Sequence, residues 1–128
     1  MTPSRAPGSQ GIDPSGAIQI MKVISLLQLM DNYAYLIVDE ETRKAGVVDC
    51  AEAPSVLETV EKEGLDLTAI LATHHHFDHV AGNSDLLAAR PQLTVYGGEY
   101  QIPRLTTLLR DGDSISVGNL EGRAMLVP

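Results

Sequence analysis

The feature that most constrains the fold is a short apolar run, residues 67–72, that leads directly into a cluster holding all four histidines of the chain. A short apolar run without regular polar alternation is typical of a strand buried on both faces. In open α/β sheets, binding and catalytic groups gather at the carboxyl ends of such strands. The run therefore predicts an α/β fold with a polar site directly after residue 72.

The rest of the chain supplies further strands and two helices. Apolar and β-branched segments predict strands at residues 18–29, 33–38, 45–48, 93–96, 114–117 and 120–127. Pro54 suits the first turn of a helix that Gly64 ends, and residues 86–89 belong to a second helix that closes before Pro91. This order predicts a mixed sheet with flanking helices.

Charge and composition exclude several classes of protein. The chain has nine Lys and Arg residues and 17 Asp and Glu residues, and the resulting net charge of −8 disfavours nucleic-acid binding. No apolar run approaches the ~18 residues of a membrane-spanning helix, so we predict no membrane partner. The single Cys50 cannot form an intrachain disulfide, which fits a reducing compartment. We expect a cytoplasmic monomer, with a mitochondrial location as the alternative.

The two ends of the chain differ from its middle. Residues 1–17 are rich in Pro, Gly and Ser and offer almost no apolar surface to bury, which predicts a flexible leader. The chain then stops inside or just after a predicted strand, which leaves a sheet edge uncovered. We therefore expect residues 18–128 to form the N-terminal part of a larger domain.

The histidine cluster has the composition of a metal site. If the backbone stays extended after the buried strand, His74, His76 and Asp78 point to one side, and His79 comes from the following turn. Imidazole nitrogen and carboxylate oxygen suit a zinc-type cation at ~2.0–2.2 Å, and imidazole also suits iron. His75 alternates to the opposite face. The predicted metal ligands are therefore His74, His76, Asp78 and His79.

Residues 74–79 also resemble a known signature. Their pattern, HxHxDH, resembles that of the metallo-β-lactamase fold, and the form Thr-His-His-His-aromatic-Asp-His resembles glyoxalase II, the hydroxyacylglutathione hydrolase family. Further similar stretches lie at residues 31–36, 47–49, 81–83 and 95–98. The resemblance extends over residues 21–128. Phe77 stands where the family often has Trp, and Cys50 where Pro is common, but neither is a proposed ligand.

The resemblance implies a fold, a reaction and a role for each residue. The fold would be the N-terminal half of an αβ/βα sandwich that holds two metals, zinc first, with iron or manganese as alternatives. His74 and His76 would bind the first metal, and Asp78 and His79 the second. A metal-activated hydroxide, oriented by Asp78, would hydrolyse the small-molecule thioester S-D-lactoylglutathione to D-lactate and glutathione.

One departure from the family concerns activity. The family completes its site with another His in a glycine-containing loop, a bridging Asp and a final His, whereas this chain has no histidine outside residues 74–79. Two protein ligands for each metal are fewer than the three typical of catalytic zinc sites, so we expect little hydrolase activity from these residues alone. The alternatives are a persulfide dioxygenase or lactonase of the same fold, or a non-catalytic truncated product that binds metal.

Overall fold

The computed structural model describes residues 2–3, 10–12 and 18–127. The strands within these ranges are β1 Thr2–Pro3, β2 Gln10–Ile12, β3 Ile18–Gln28, β4 Asn32–Asp39, β5 Lys44–Val48, β6 Asp66–Leu71, β7 Thr94–Gly97, β8 Thr107–Leu108, β9 Ser114–Val117 and β10 Leu120–Arg123. The helices are α1 Ala53–Glu63, α2 Phe77–Val80 and α3 Asn83–Ala89. None of these helices is long and apolar enough to cross a membrane.

The larger of two sheets has seven strands in the order β2-β3-β4-β5-β6-β7-β8. Its first four strands pair antiparallel, and β5 to β8 pair parallel. Parallel neighbours need a crossover, which α1 supplies between β5 and β6, and α2 with α3 between β6 and β7. The predicted α/β class, a mixed sheet with flanking helices, is confirmed.

One face of this sheet carries the main core together with α1 and α3. Helix α1 begins with Pro54 in its first turn and ends at Gly64, whose φ of 66° provides the left-handed cap that the sequence predicted. Val56 and Val60 lie one turn apart and are fully buried. The apolar side chains that they join on the sheet are those of Ala34, Leu36, Val38, Ala45, Val47, Leu67, Ile70 and Val95.

The opposite face is partly covered by the β9–β10 hairpin, which forms the second sheet with β1 in the order β1-β10-β9. Ile115 packs on Ala69 and Leu71 of β6. The hairpin lies so close to the main sheet that a Cβ atom on Gly46 would be 3.0 Å from Val117 Cγ2. Glycine at this position therefore allows the two layers to approach, and the predicted pairing of residues 114–117 with a strand from residue 120 is confirmed.

The strand predicted at residues 120–127 ends at Arg123, because the N–H of Ala124 donates to the carbonyl of Asp113 and that of Leu126 to the Asp111 carboxylate.

The predicted flexible leader, residues 1–17, lies outside the described residues except for β1 and β2. Its flexibility stays a prediction.

Candidate metal centre

The candidate site lies where the carboxyl ends of β5, β6 and β7 meet. These strands run parallel, so the loops that follow them open at the same edge of the sheet. Asp49 follows β5, the histidine cluster follows β6, and Glu99 follows β7. The edge thus collects titratable groups from three separate parts of the chain.

The first pair of predicted ligands, His74 and His76, lies together. Their ring centroids are 4.6 Å apart, and the rings are almost perpendicular. His74 is half-buried and His76 is exposed. The hydroxyl Oγ1 of Thr73 lies 2.9 Å from Nδ1 of His74, which occupies that nitrogen and leaves Nε2 available. His74 and His76 thus lie on one side of the chain, as expected for the extended backbone predicted up to residue 76.

The second pair of predicted ligands, Asp78 and His79, lies in helix α2. The extended backbone predicted through residue 78 is therefore wrong, because the chain becomes helical at Phe77. The pair still converges, since Oδ2 of Asp78 is 3.5 Å from Nε2 of His79. The ring centroids of His74 and His79 are 4.1 Å apart, so the helical turn brings this pair beside the first.

Asn32 holds the carboxylate of Asp78 from the side of β4. Its Nδ2 group donates to Oδ2 of Asp78 at 2.9 Å and to the Asp78 carbonyl at 3.2 Å. The hydrogen bond from the Asn32 side chain, with the nearby His79, holds the pKa of Asp78 below its ordinary value. The side chain is therefore an ionised carboxylate at neutral pH, the form that binds a cation.

Asp49 is a site residue that the sequence did not assign. Its Oδ1 accepts the backbone N–H of Thr73 at 2.8 Å, and its Oδ2 accepts the Thr73 hydroxyl at 2.6 Å and Nδ1 of His79 at 3.0 Å. Its backbone has a φ of 57°, a left-handed conformation that Asp tolerates better than most residues. The carboxylate therefore lies beneath the cluster and links the loop after β5 to the histidines.

The donor set of this edge fits a divalent cation. Ligand atoms of Asp49, His74 and His79 all lie within 4.8 Å of one another. The oxygens of Asp49 already accept three hydrogen bonds, one of them from Nδ1 of His79, so Nε2 of His79 is directed towards Asp78. A carboxylate that accepts from a histidine ring in this way is the usual support of a metal-binding imidazole.

His75 makes its side-chain hydrogen bond to a residue of another loop, Glu99. Its backbone N–H and its ring Nδ1 both meet Oε2 of Glu99, at 3.0 Å and 2.7 Å. The hydrogen bond from His75 holds the pKa of Glu99 below its ordinary value. The ring of His75 lies beside that of His76, with centroids 5.2 Å apart.

Asp49 and Glu99 could have been found from one signal in the sequence. Each follows a predicted strand within a few residues, as the histidine cluster does. Once β5, β6 and β7 are taken as parallel neighbours, polar residues after all three strands belong to the same edge. The sequence predicts a strand at residues 45–48 but not its parallel pairing with the buried strand, so it does not assign Asp49 to the site.

A cleft of about 630 Å³ lies beside His74. Glu99, Arg110 and Asp111 supply its charged groups, and Leu109 and Leu126 are among its apolar lining residues. The cleft gives a small molecule a route to the edge that carries the histidines.

Comparison with known proteins shows the superfamily to which the chain belongs. Residues 28–116 match the metallo-beta-lactamase superfamily. The hydroxyacylglutathione hydrolase of Synechocystis sp. is 46% identical over 111 residues, which are 84% of this chain and 43% of that protein. The hydroxyacylglutathione hydrolase-like protein of Homo sapiens is 44% identical over 108 residues, 84% of this chain and 37% of that protein. The chain thus spans about two fifths of the length of these relatives.

Solved structures give the same fold. ETHE1 from Myxococcus xanthus superimposes with a TM-score of 0.70 at 33% identity, covering 79% of this chain and 46% of that one. A metallo-beta-lactamase from Staphylococcus aureus superimposes with a TM-score of 0.68 at 24% identity, covering 82% of this chain and 34% of that one. The resemblance predicted from the HxHxDH pattern is confirmed, and the chain belongs to the metallo-β-lactamase superfamily.

Proposed function

We propose that this chain carries the first metal-binding segment of a thioester hydrolase that acts on S-D-lactoylglutathione. The observation that carries the proposal is the convergence of two ligand pairs at one sheet edge, in a chain 46% identical to a hydroxyacylglutathione hydrolase. In the reaction, water adds across the thioester C–S bond and gives D-lactate and the thiol of glutathione.

Each pair would hold one cation, zinc in our proposal. His74 and His76 would bind the first, through nitrogens that their neighbours leave available. Asp78 and His79 would bind the second, with the His79 ring oriented by Asp49. Bound divalent cations supply a nucleophile from water at neutral pH and stabilise negative charge on a reacting carbonyl oxygen.

The chain's own residues would orient the reactants. The carboxylate of Asp78 is fixed by the hydrogen bond from Asn32, so it can accept a hydrogen bond from the attacking group as well as bind a cation. The cleft beside His74 would admit the thioester group of the substrate. Because a thiolate is a good leaving group, this reaction needs little help from a general acid.

Two protein ligands for each cation are fewer than the three of a typical catalytic zinc site. We therefore expect the 128 residues alone to bind zinc weakly and to turn over substrate slowly. The test of the reaction accordingly uses a chimera, in which the aligned segment of this chain replaces its counterpart in the Synechocystis sp. hydrolase.

The chimera should release glutathione from S-D-lactoylglutathione, measured as free thiol. His76→Ala in the chimera should abolish this release, and His75→Ala should leave it intact, with circular dichroism used to verify that each variant folds. Full activity of the His76→Ala chimera would contradict the site. A single iron and oxygen uptake with a persulfide substrate, instead of thiol release, would favour the dioxygenase alternative.

A further inference from the structure

His75 differs from its neighbours in the cluster because one carboxylate oxygen binds it twice. Oε2 of Glu99 is 3.0 Å from the backbone nitrogen of His75 and 2.7 Å from its Nδ1. When one acceptor receives both N–H groups of a residue, the ring is fixed relative to its own backbone. The His75 ring is therefore turned towards the loop after β7.

This orientation matters because His75 is a potential competitor for metal. It lies in the chain between His74 and His76, and its ring centroid is 5.2 Å from that of His76. Imidazole is a common metal ligand whichever histidine supplies it. A free His75 ring could therefore rotate towards a cation held by its two neighbours.

Stability alone does not explain the contact. The side chains of His75 and Glu99 are 40% and 41% exposed. Exposed pairs of this kind contribute little to the free energy of folding, because water screens them and side-chain freedom is lost. What the contact does determine is the direction of the His75 ring.

We propose that Glu99 is a positioning residue, which holds the His75 imidazole away from the metal centre and so restricts the ligands to His74, His76, Asp78 and His79. This inference rests on the proposed metal site. It concerns which imidazoles reach the cation, so its test measures metal coordination rather than turnover.

The test is the visible absorption spectrum of the 128-residue chain titrated with Co²⁺, whose d–d bands report the number and type of ligands. His75→Ala should leave the bands unchanged. Glu99→Ala should shift the bands, because the imidazole of His75 joins the ligands of the cation. The double variant Glu99→Ala/His75→Ala should return the original spectrum, which a purely structural role of Glu99 would not produce.

Two further variants separate orientation from charge. Glu99→Gln removes the negative charge but keeps an oxygen that can accept both N–H groups of His75, so its spectrum should match that of the unsubstituted chain. Glu61→Ala, which removes an exposed carboxylate on α1, should also leave the spectrum unchanged.

The outcomes distinguish this inference from the proposed function. If the unsubstituted chain binds no Co²⁺, the metal site fails, and the exclusion of His75 fails with it. If the chain binds Co²⁺ but Glu99→Ala leaves the bands unchanged, or if His75→Ala alone shifts them, the proposed role of Glu99 is wrong while the metal site stands.

Discussion

Nδ1 of His79 lies 3.0 Å from Oδ2 of Asp49, across 30 positions of sequence. Asp49 follows strand β5, and His79 lies in helix α2 after strand β6. The contact therefore depends on the parallel pairing of those two strands. Because Nδ1 of His79 is bound to Asp49, Nε2 is the ring nitrogen that faces Asp78. The pairing of the two strands thus fixes the orientation of the His79 ring.

Replacing Asp49 by Asn should weaken zinc binding without unfolding the chain. Asn fits the same space and tolerates a left-handed backbone, but its amide cannot replace both carboxylate oxygens as acceptors. Loss of such a support under a metal-binding histidine typically costs about 10–100-fold in affinity. Isothermal titration with zinc measures the change, and Asp66→Asn, at an exposed position, is the matched control. Equal affinity of the two variants would show that Asp49 does not orient His79.

Cys50 should resist alkylation in the folded chain. Its side chain is fully buried, and burial raises the pKa of its thiol from 9.0 to about 12. Since the thiolate is the reactive form, iodoacetamide at pH 8 should modify Cys50 only after denaturant is added. Rapid labelling of the native protein, detected by mass spectrometry, would contradict the buried position.

The same thiol should make stability fall at high pH. The unfolded thiol ionises near 9.0, whereas the folded one keeps its proton until about 12. The contribution of the protonated thiol to the free energy of unfolding is therefore complete below pH 9 and is lost as pH rises towards 12. Urea unfolding from pH 8 to 11 measures how steeply the free energy of unfolding falls with pH. Cys50→Ala should make this fall less steep. An unchanged slope in that variant would assign the pH dependence to other groups.

Asp39→Ala should destabilise the fold by about 2–4 kcal/mol, because buried groups lose their acceptor. Asp39 is fully buried, and Oδ2 accepts the hydroxyl of Thr42 at 2.8 Å and the backbone N–H of Asn119 at 2.7 Å. The bond from Asn119 attaches the β9–β10 turn to the main sheet, and the bond from Thr42 holds the turn between β4 and β5. Urea unfolding against Asp66→Ala as the control measures the loss, and equal stability of both variants would contradict this role.

Gln28→Leu should lower the free energy of unfolding by about 1–3 kcal/mol, because buried groups again lose their hydrogen-bond partner. Oε1 of the buried Gln28 accepts the N–H groups of Ala51 and Glu52, and its Nε2 donates to the hydroxyl of Ser55. Leucine fills the volume but leaves these groups without a partner. Thermal unfolding compared with Gln92→Leu, at an exposed site, tests this, and matching midpoints would mean that water replaces the lost bonds.

Local signals predicted the elements that depend on local chemistry. The buried strand at residues 67–72 and the helix ended by Gly64 follow from short apolar runs and a left-handed glycine cap. Helix α2 was missed because its four residues are too few to show helical periodicity, so Asp78 was placed on an extended backbone.

Distant contacts could not be predicted in the same way. The bond between Asp39 and Asn119 spans 80 positions and depends on how the β9–β10 hairpin packs on the sheet. Asp49 and Glu99 join the site only through the parallel register of β5, β6 and β7. The sequence therefore indicated the candidate metal ligands more readily than the residues that contact them.

Anomalous diffraction at the zinc edge, from crystals of the chain soaked in zinc, locates any bound cation. We predict an anomalous peak about 2.0–2.2 Å from imidazole nitrogens of both His74 and His76, with a second beside Asp78 and His79. His75 should lie outside both coordination spheres. Soaked crystals with no peak at this edge of the sheet, or with a peak coordinated by His75 in place of His74 or His76, would contradict the central claim.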